Sequence, residues 1–243
     1  MKTDENEVLT FFYPCLSVAR SWVFHVSRPM TAADLIAALS RHFRRRRMAR
    51  FAAVMGIGAE TRVLDIGGTP ENWQLLAAPP RLVLLNTPRA AADLAGAPVW
   101  VAGDGRALPF RDGAFDVVFS NSVIEHVGDA ASQLAFAREV ARVGRGYWVQ
   151  TPNRWFPIEQ HLLTPFLHWL PRSWQRALMP RLNWWRLLVP VSSDRRDFYV
   201  DHYLRDVRLL GPSQLRALFP EARILRERVL GVAKSLIALR RAR

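Results

Sequence analysis

The sequence predicts an α/β chain on a doubly wound, mostly parallel sheet, closed by a C-terminal antiparallel hairpin and covered by a helical, aromatic lid. Three observations carry that expectation. From Arg62 onward, short apolar runs alternate with helical stretches, the texture of right-handed βαβ units. The predicted strands end on acidic, amide or glycine residues, which suits a ligand crevice at the carboxyl ends of a parallel sheet. Between residues 152 and 210 the rhythm breaks into crowded tryptophans, phenylalanines and prolines.

Residues 1–30 are apolar and aromatic. Thr31 reads as an N-cap, with Asp34 in the first turn of a helix that carries Leu35, Ile36 and Leu39. That helix runs through an arginine block to Met55 and stops at Gly56 and Gly58. Arg62–Ile66 is the first strand, broken by Gly67-Gly68, and 71–77 a short helix. Strands follow at 81–85, closing on Asn86, and at 99–102, ending in Gly103-Asp104-Gly105. Another strand, 115–120, comes after the turn Arg111-Asp112-Gly113. Helix 132–143 turns Leu134, Phe136, Ala137, Val140 and Ala141 inward, and strand 147–151 ends at Pro152-Asn153. Trp155, Trp169, Trp174, Trp184 and Trp185 then lie among Pro157, Pro165, Pro171, Pro180 and Pro190, read as irregular short helices. The chain recovers with helix 213–218 and paired strands 222–229 and 234–239 joined through Gly231. The expected division is an N-terminal helical segment (1–55), a core (56–151), a lid (152–210) and a closing helix and strand pair (211–243).

Half of the residues are hydrophobic, enough for one substantial core. The single cysteine, Cys15, excludes a disulfide framework and a cysteine-based zinc site, and a cytoplasmic location is expected. The net charge of +13 is almost all arginine, with lysine only at Lys2 and Lys234. Arg41, Arg44, Arg45, Arg46 and Arg47 form one block; Arg240, Arg241 and Arg243 form another. Such blocks suit an anionic partner or simply a solvated face. No segment reads as a membrane span: the best, residues 8–26, is interrupted by Pro14, Arg20 and His25. Asp4, Glu5 and Glu7 oppose a signal peptide. Attachment, if any, is expected to be peripheral, at the inner face of a membrane.

The stretches VLDIGG, GDGRALPFRDGAFDVVFSNSVIEHV and GVAKSLIAL resemble the class I S-adenosylmethionine-dependent methyltransferases, in particular the type 11 subgroup with an EH pair after the fourth strand. The resemblance implies a Rossmann-like core with S-adenosyl-L-methionine as methyl donor. It assigns Asp65, Gly67 and Gly68 to the amino-acid and ribose end of that cofactor. Asp104, with Gly105 and Arg106, falls at the adenine, and Asn121 and Ser122 beside the transferable methyl. This chain departs from the pattern twice: Thr69 stands where the family has a third glycine, and Asn86 where it has an acid for both ribose hydroxyls.

Thr151-Pro152-Asn153 leading to Glu159 and His161 resembles the acceptor-side segment of related enzymes. His161 suits a general base on a hydroxyl, with Glu159 to orient it, while His126 is read as a packing or hydrogen-bonding histidine. The expected reaction is in-line methyl transfer to oxygen of a small-molecule, glycan or lipid-linked acceptor. No metal is expected, because the six histidines show no ligand spacing. A nicotinamide oxidoreductase is disfavoured by the missing G-x-G-x-x-G fingerprint. Nucleic-acid methylation is disfavoured by Ser120-Asn121-Ser122-Val123 where an N/D-P-P-Y/F motif would stand. A cofactor-binding or membrane-surface protein without turnover is the alternative on the same fold.

Overall fold

The computed structural model of the chain describes residues 32–88, 99–159, 161, 164–182 and 193–242. The Thr31 cap, the apolar segment 1–30, the side chains of Leu35, Ile36 and Leu39, and Trp184, Trp185 and Pro190 lie outside the described residues.

Helix α1 (Ala32–Met55) leads into β1 (Arg62–Ile66), α2 (Pro70–Trp73), β2 (Arg81–Asn86), β3 (Trp100–Ala102) and β4 (Phe115–Asn121). A 3-10 turn (Ile124–His126), α3 (Ala130–Val143) and β5 (Gly144–Pro152) follow. The next segment holds a two-strand ribbon, β6 (Ile158–Glu159) and β7 (Thr164–Pro165), a 3-10 turn (Leu167–Trp169), α4 (Arg172–Leu182) and α5 (Ser193–Asp206). Helix α6 (Pro212–Leu218), β8 (Arg223–Val229) and β9 (Val232–Arg240) close the chain.

The seven-stranded sheet has the order β3-β2-β1-β4-β5-β9-β8. The first five strands run parallel; β9 lies antiparallel to β5, and β8 antiparallel to β9. The expected α/β sheet and its closing hairpin are therefore present. Two layers cover it because neighbouring strand residues point to opposite faces. Leu64, Val118, Tyr147 and Val149 pack with Phe136 and Val140 of α3 and Leu215 of α6. Val63, Val117, Phe119 and Trp148 face the other way, against Met48 and Phe51 of α1 and Trp73 of α2. Phe51 sits edge-on to Phe119, with ring centroids 4.7 Å apart, so the end of α1 packs into the core.

Three boundaries differ from expectation for physical reasons. Helix α2 stops at Trp73, four residues short of Ala77, in a run of turns that leads into Pro79 and Pro80. Strand β5 begins at Gly144 because that stretch has no room for side chains: a Cβ on Gly146 would lie 2.8 Å from the Arg240 carbonyl oxygen. The segment after β5 is more regular than expected, since α5 is 14 residues long. Its small core is Leu167, Met179, Val200, Tyr203, Leu204 and Val207. The described tryptophans of this region, Trp155, Trp169 and Trp174, lie on the outside.

The arginine blocks are partly structural. Arg47 forks onto Glu227, and Arg240 pairs with Glu221 and donates to the Ala141 and Gly144 carbonyls. Among the described residues, no helix is long and apolar enough to cross a membrane.

Candidate active site

Strand order reverses between β1 and β4, and the crevice of such a sheet opens at the carboxyl ends beside that switch. Lateral bonds knit those ends together. Gly67 N–H donates to Leu85 O (2.7 Å), Gly103 N–H to Asn86 O (2.9 Å) and Ser122 N–H to Gln150 O (2.9 Å). The predicted cofactor-side residues thus share one edge.

Asp65 is fully buried in β1. Trp73 Nε1 donates to its Oδ2 at 2.8 Å, whereas Oδ1 is buried without a hydrogen-bond partner. Burial pushes the carboxyl up to about 7, and the Trp73 bond only partly opposes this. The adjoining loop fits only glycine. Gly67 has φ +76, and a Cβ there would lie 2.5 Å from Val123 Cγ2; one on Gly68 would overlap the Asp65 carboxylate. Thr69, in the place of a third glycine, is the N-cap position of α2 in extended conformation. Asn86 Nδ2 donates to Gly68 O at 3.4 Å and its Oδ1 accepts from Thr87 N–H, so the amide ties β2 to the glycine turn.

Asp104 is half-exposed and forked by Arg106, whose Nε and backbone N–H also reach it. That guanidinium holds the Asp104 carboxyl below its ordinary range. Gly105 is required by packing, since a Cβ would meet the Phe136 ring at 2.9 Å. Asn121 ends β4, and Ser122 follows with φ +59, an uncommon backbone state for a side-chain-bearing residue.

The segments after β4 and β5 bring together four polar residues, Glu125, His126, Glu159 and His161. His161 Nδ1 lies 2.5 Å from Glu159 Oε1, and its Nε2 lies 3.2 Å from His126 Nε2. Glu125, fully buried, accepts from Thr151 Oγ1 at 2.9 Å, and burial raises its carboxyl to about 7. Burial, with the charges of His161 and His202, holds His126 well below its usual range, so it is neutral. Burial works against protonation of His161 too, but the Glu159 charge, their hydrogen bond and the Glu125 charge outweigh it and raise its pKa. Glu159 thus backs the His161 imidazole at Nδ1, while its Nε2 faces His126.

Sequence reasoning picked Glu159 and His161 but did not join them to His126 and Glu125. The EH pair was the available signal, and only folding closes a separation of 35 residues. Nor are the histidines scattered in space: Glu125, His126 and His161 each place a ligand-type atom within 4.8 Å of the others.

The comparisons agree with this geometry. Residues 55–146, from the end of α1 to the first turns of β5, match the family profile described as a methyltransferase domain. No curated protein sequence is a significant match. Several solved structures share the fold at low identity. PH0226 from Pyrococcus horikoshii OT3 is 17% identical, with TM-score 0.50, over 85% of this chain and 92% of that one. PigF with SAH is 16% identical, with TM-score 0.51, over 85% of this chain and 57% of that one. A Rhodobacter sphaeroides protein whose given name places it among Zn-dependent alcohol dehydrogenases is 14% identical, with TM-score 0.54, over 82% and 90%. At such identities the likeness is one of fold; the domain match carries the activity. Residues 55–146 are a methyltransferase domain, for which S-adenosylmethionine is the methyl donor.

Proposed function

We propose that this methyltransferase acts on a hydroxyl oxygen of a small-molecule, glycan or lipid-linked acceptor, with His161 as proton acceptor and Glu159 as its positioning partner. The single observation behind this reading is the Glu159–His161–His126 chain, which joins the turn after β4 to the segment after β5. When bound, S-adenosylmethionine supplies a methyl group on an electrophilic sulfonium. The protein then has to align the acceptor, exclude water and accept one proton. The acceptor hydroxyl displaces His126 Nε2 from His161 Nε2; neutral His161 then takes the hydroxyl proton on Nε2, and the Glu159 carboxylate stabilises the imidazolium through Nδ1–H.

For the cofactor we infer a cradle of Asp65, Gly67, Gly68, Asn86, Asp104, Gly105, Arg106, Asn121 and Ser122. The donor set suits it: the unpartnered, buried Asp65 Oδ1 awaits a cationic or N–H group, and the side-chain-free turn at Gly67 lets backbone approach closely. Asn86 offers one acceptor and one donor toward ribose hydroxyls. The exposed rings of Trp155, Phe166, Trp169 and Trp174 on the lid favour an apolar, lipid-linked acceptor met at a membrane surface.

Labelled methyl transfer to lipid and glycan extracts tests the reading. His161→Ala is expected to lower transfer by about 10²- to 10⁴-fold while S-adenosylhomocysteine still binds. Wild-type turnover is expected to survive EDTA. Full transfer by the variant would remove His161 from the chemistry. Loss with EDTA, restored by one divalent cation, would give the role to a metal on Glu125, His126 and His161.

A further inference from the structure

Tyr203 also lines an open pocket of about 450 Å³. Arg154, Arg172 and Arg208 line it, from the segment after β5, the start of α4 and the segment after α5. Arg172 Nη2 and Arg208 Nη1 both donate to the Val207 carbonyl oxygen, at 2.9 Å and 3.0 Å. Two guanidinium groups are therefore gathered on one acceptor atom. Among the described residues none of the three arginines pairs with a carboxylate. The one acid on the wall, Asp129, caps α3 by accepting from Ser132 N–H.

The arrangement is built rather than incidental. Buried Gln175 accepts from Arg172 Nη1 and anchors itself on the His168 and Leu170 carbonyls. Buried Gln133 donates to the Arg208 carbonyl and to Ile124 O. Arg208 N–H in turn donates to Glu125 O, so this wall is fixed to the turn that carries Glu125 and His126. Burial first, and then the charges of Arg208 and Arg154, hold the Arg172 guanidinium below its ordinary range, with Tyr203 partly opposing them. Tyr203 neighbours both groups: its ring centroid is 5.8 Å from that of His161 and 5.9 Å from the Arg172 guanidinium carbon.

We infer that this cavity is a phosphate subsite of the acceptor: Arg154, Arg172 and Arg208 hold a phosphate group while another part of the same molecule presents its hydroxyl to His161. Three guanidinium groups from three segments, with that of Arg154 also stacked 5.5 Å over the Trp155 ring, suit a multiply charged, tetrahedral group better than a carboxylate, which one guanidinium satisfies. The acceptor is thus a phosphorylated glycan or a phospholipid-type molecule. This rests on the proposed acceptor side at His161, and the test separates the two.

Calorimetric titration of the full chain with inorganic phosphate, with a hexose 1-phosphate, and with phosphatidylglycerol or phosphatidylcholine vesicles reads the subsite directly. The Arg172→Gln/Arg208→Gln variant is measured alongside, and S-adenosylhomocysteine binding serves as the check that it folds. Saturable phosphate binding at constant ionic strength is expected, weakened at least about tenfold in the variant. Hexose phosphate binding with the same loss assigns a soluble acceptor. Phosphatidylglycerol binding with that loss, and none to phosphatidylcholine, assigns a lipid headgroup. No phosphate binding by a protein that binds S-adenosylhomocysteine, or binding unchanged in the variant, overturns the subsite. Neither result touches His161, which the transfer assay examines separately.

Discussion

Replacing Asp65 by Asn is expected to stabilise the protein at pH 8 relative to its effect at pH 5, while weakening the cofactor site. The native carboxyl is raised from 3.8 to about 7, chiefly by burial. The folded protein therefore keeps a proton that the unfolded chain gives up. From pH 5 to pH 7 the wild type loses about 3 kcal/mol of stability for this reason, and no more above that window. Asn carries no such dependence, and its oxygen still accepts from Trp73 Nε1. Its amide N–H₂ lands where Oδ1 has no partner, at a cost of about 1–3 kcal/mol. The two effects roughly balance near neutrality, so the informative quantity is the change between pH values. Urea unfolding followed by tryptophan fluorescence at pH 5 and pH 8 measures it. The stability difference between variant and wild type should move by about 3 kcal/mol in favour of Asn on going to pH 8. A difference independent of pH would refute the buried, proton-holding carboxyl. The same carboxyl must be ionised to meet a cation, so wild-type affinity for S-adenosylmethionine should rise toward pH 7, by up to about tenfold per pH unit.

Gly67→Ala should abolish measurable S-adenosylhomocysteine binding and cost about 1–3 kcal/mol, because the left-handed backbone and the contact with Val123 both disfavour a Cβ; thermal unfolding and calorimetry check the two halves, and tight binding by the variant would contradict the glycine-turn geometry. Phe51→Ala should cost about 3–5 kcal/mol, since that fully buried ring from α1 meets Trp73, Phe119 and Trp148; a chemical denaturation midpoint near wild type would show α1 to be dispensable to the core.

Most of the sheet was legible because its strands are short apolar runs punctuated by residues with one use. Asp65, Asn86, Asp104 and Asn121 mark four strand ends, and a parallel sheet brings such ends to one edge. The hairpin was legible through Gly231, which with Leu230 takes a left-handed turn between β8 and β9. Local pattern failed where tertiary contact decides. Gly144 and Gly146 resemble loop residues, yet they sit inside β5 because neighbouring backbone and Val118 leave no space. The tryptophans at 155, 169 and 174 mark this segment in the sequence but lie outside its small core, which smaller aliphatic residues and Tyr203 fill. The His126–His161 contact and the shared use of Val207 O by Arg172 and Arg208 leave no periodic trace, because each joins segments that only the fold brings together.

The most direct test of the central claim is calorimetric titration with S-adenosylhomocysteine of the wild type and of Asp104→Ala, which removes the carboxylate at the end of the β3 segment without burying a new group. Saturable one-to-one binding by the wild type, lost or weakened at least about tenfold in the variant, is the predicted result. A folded wild-type protein that takes up no S-adenosylhomocysteine would contradict the account, and equal binding by both proteins would move the adenine away from Asp104.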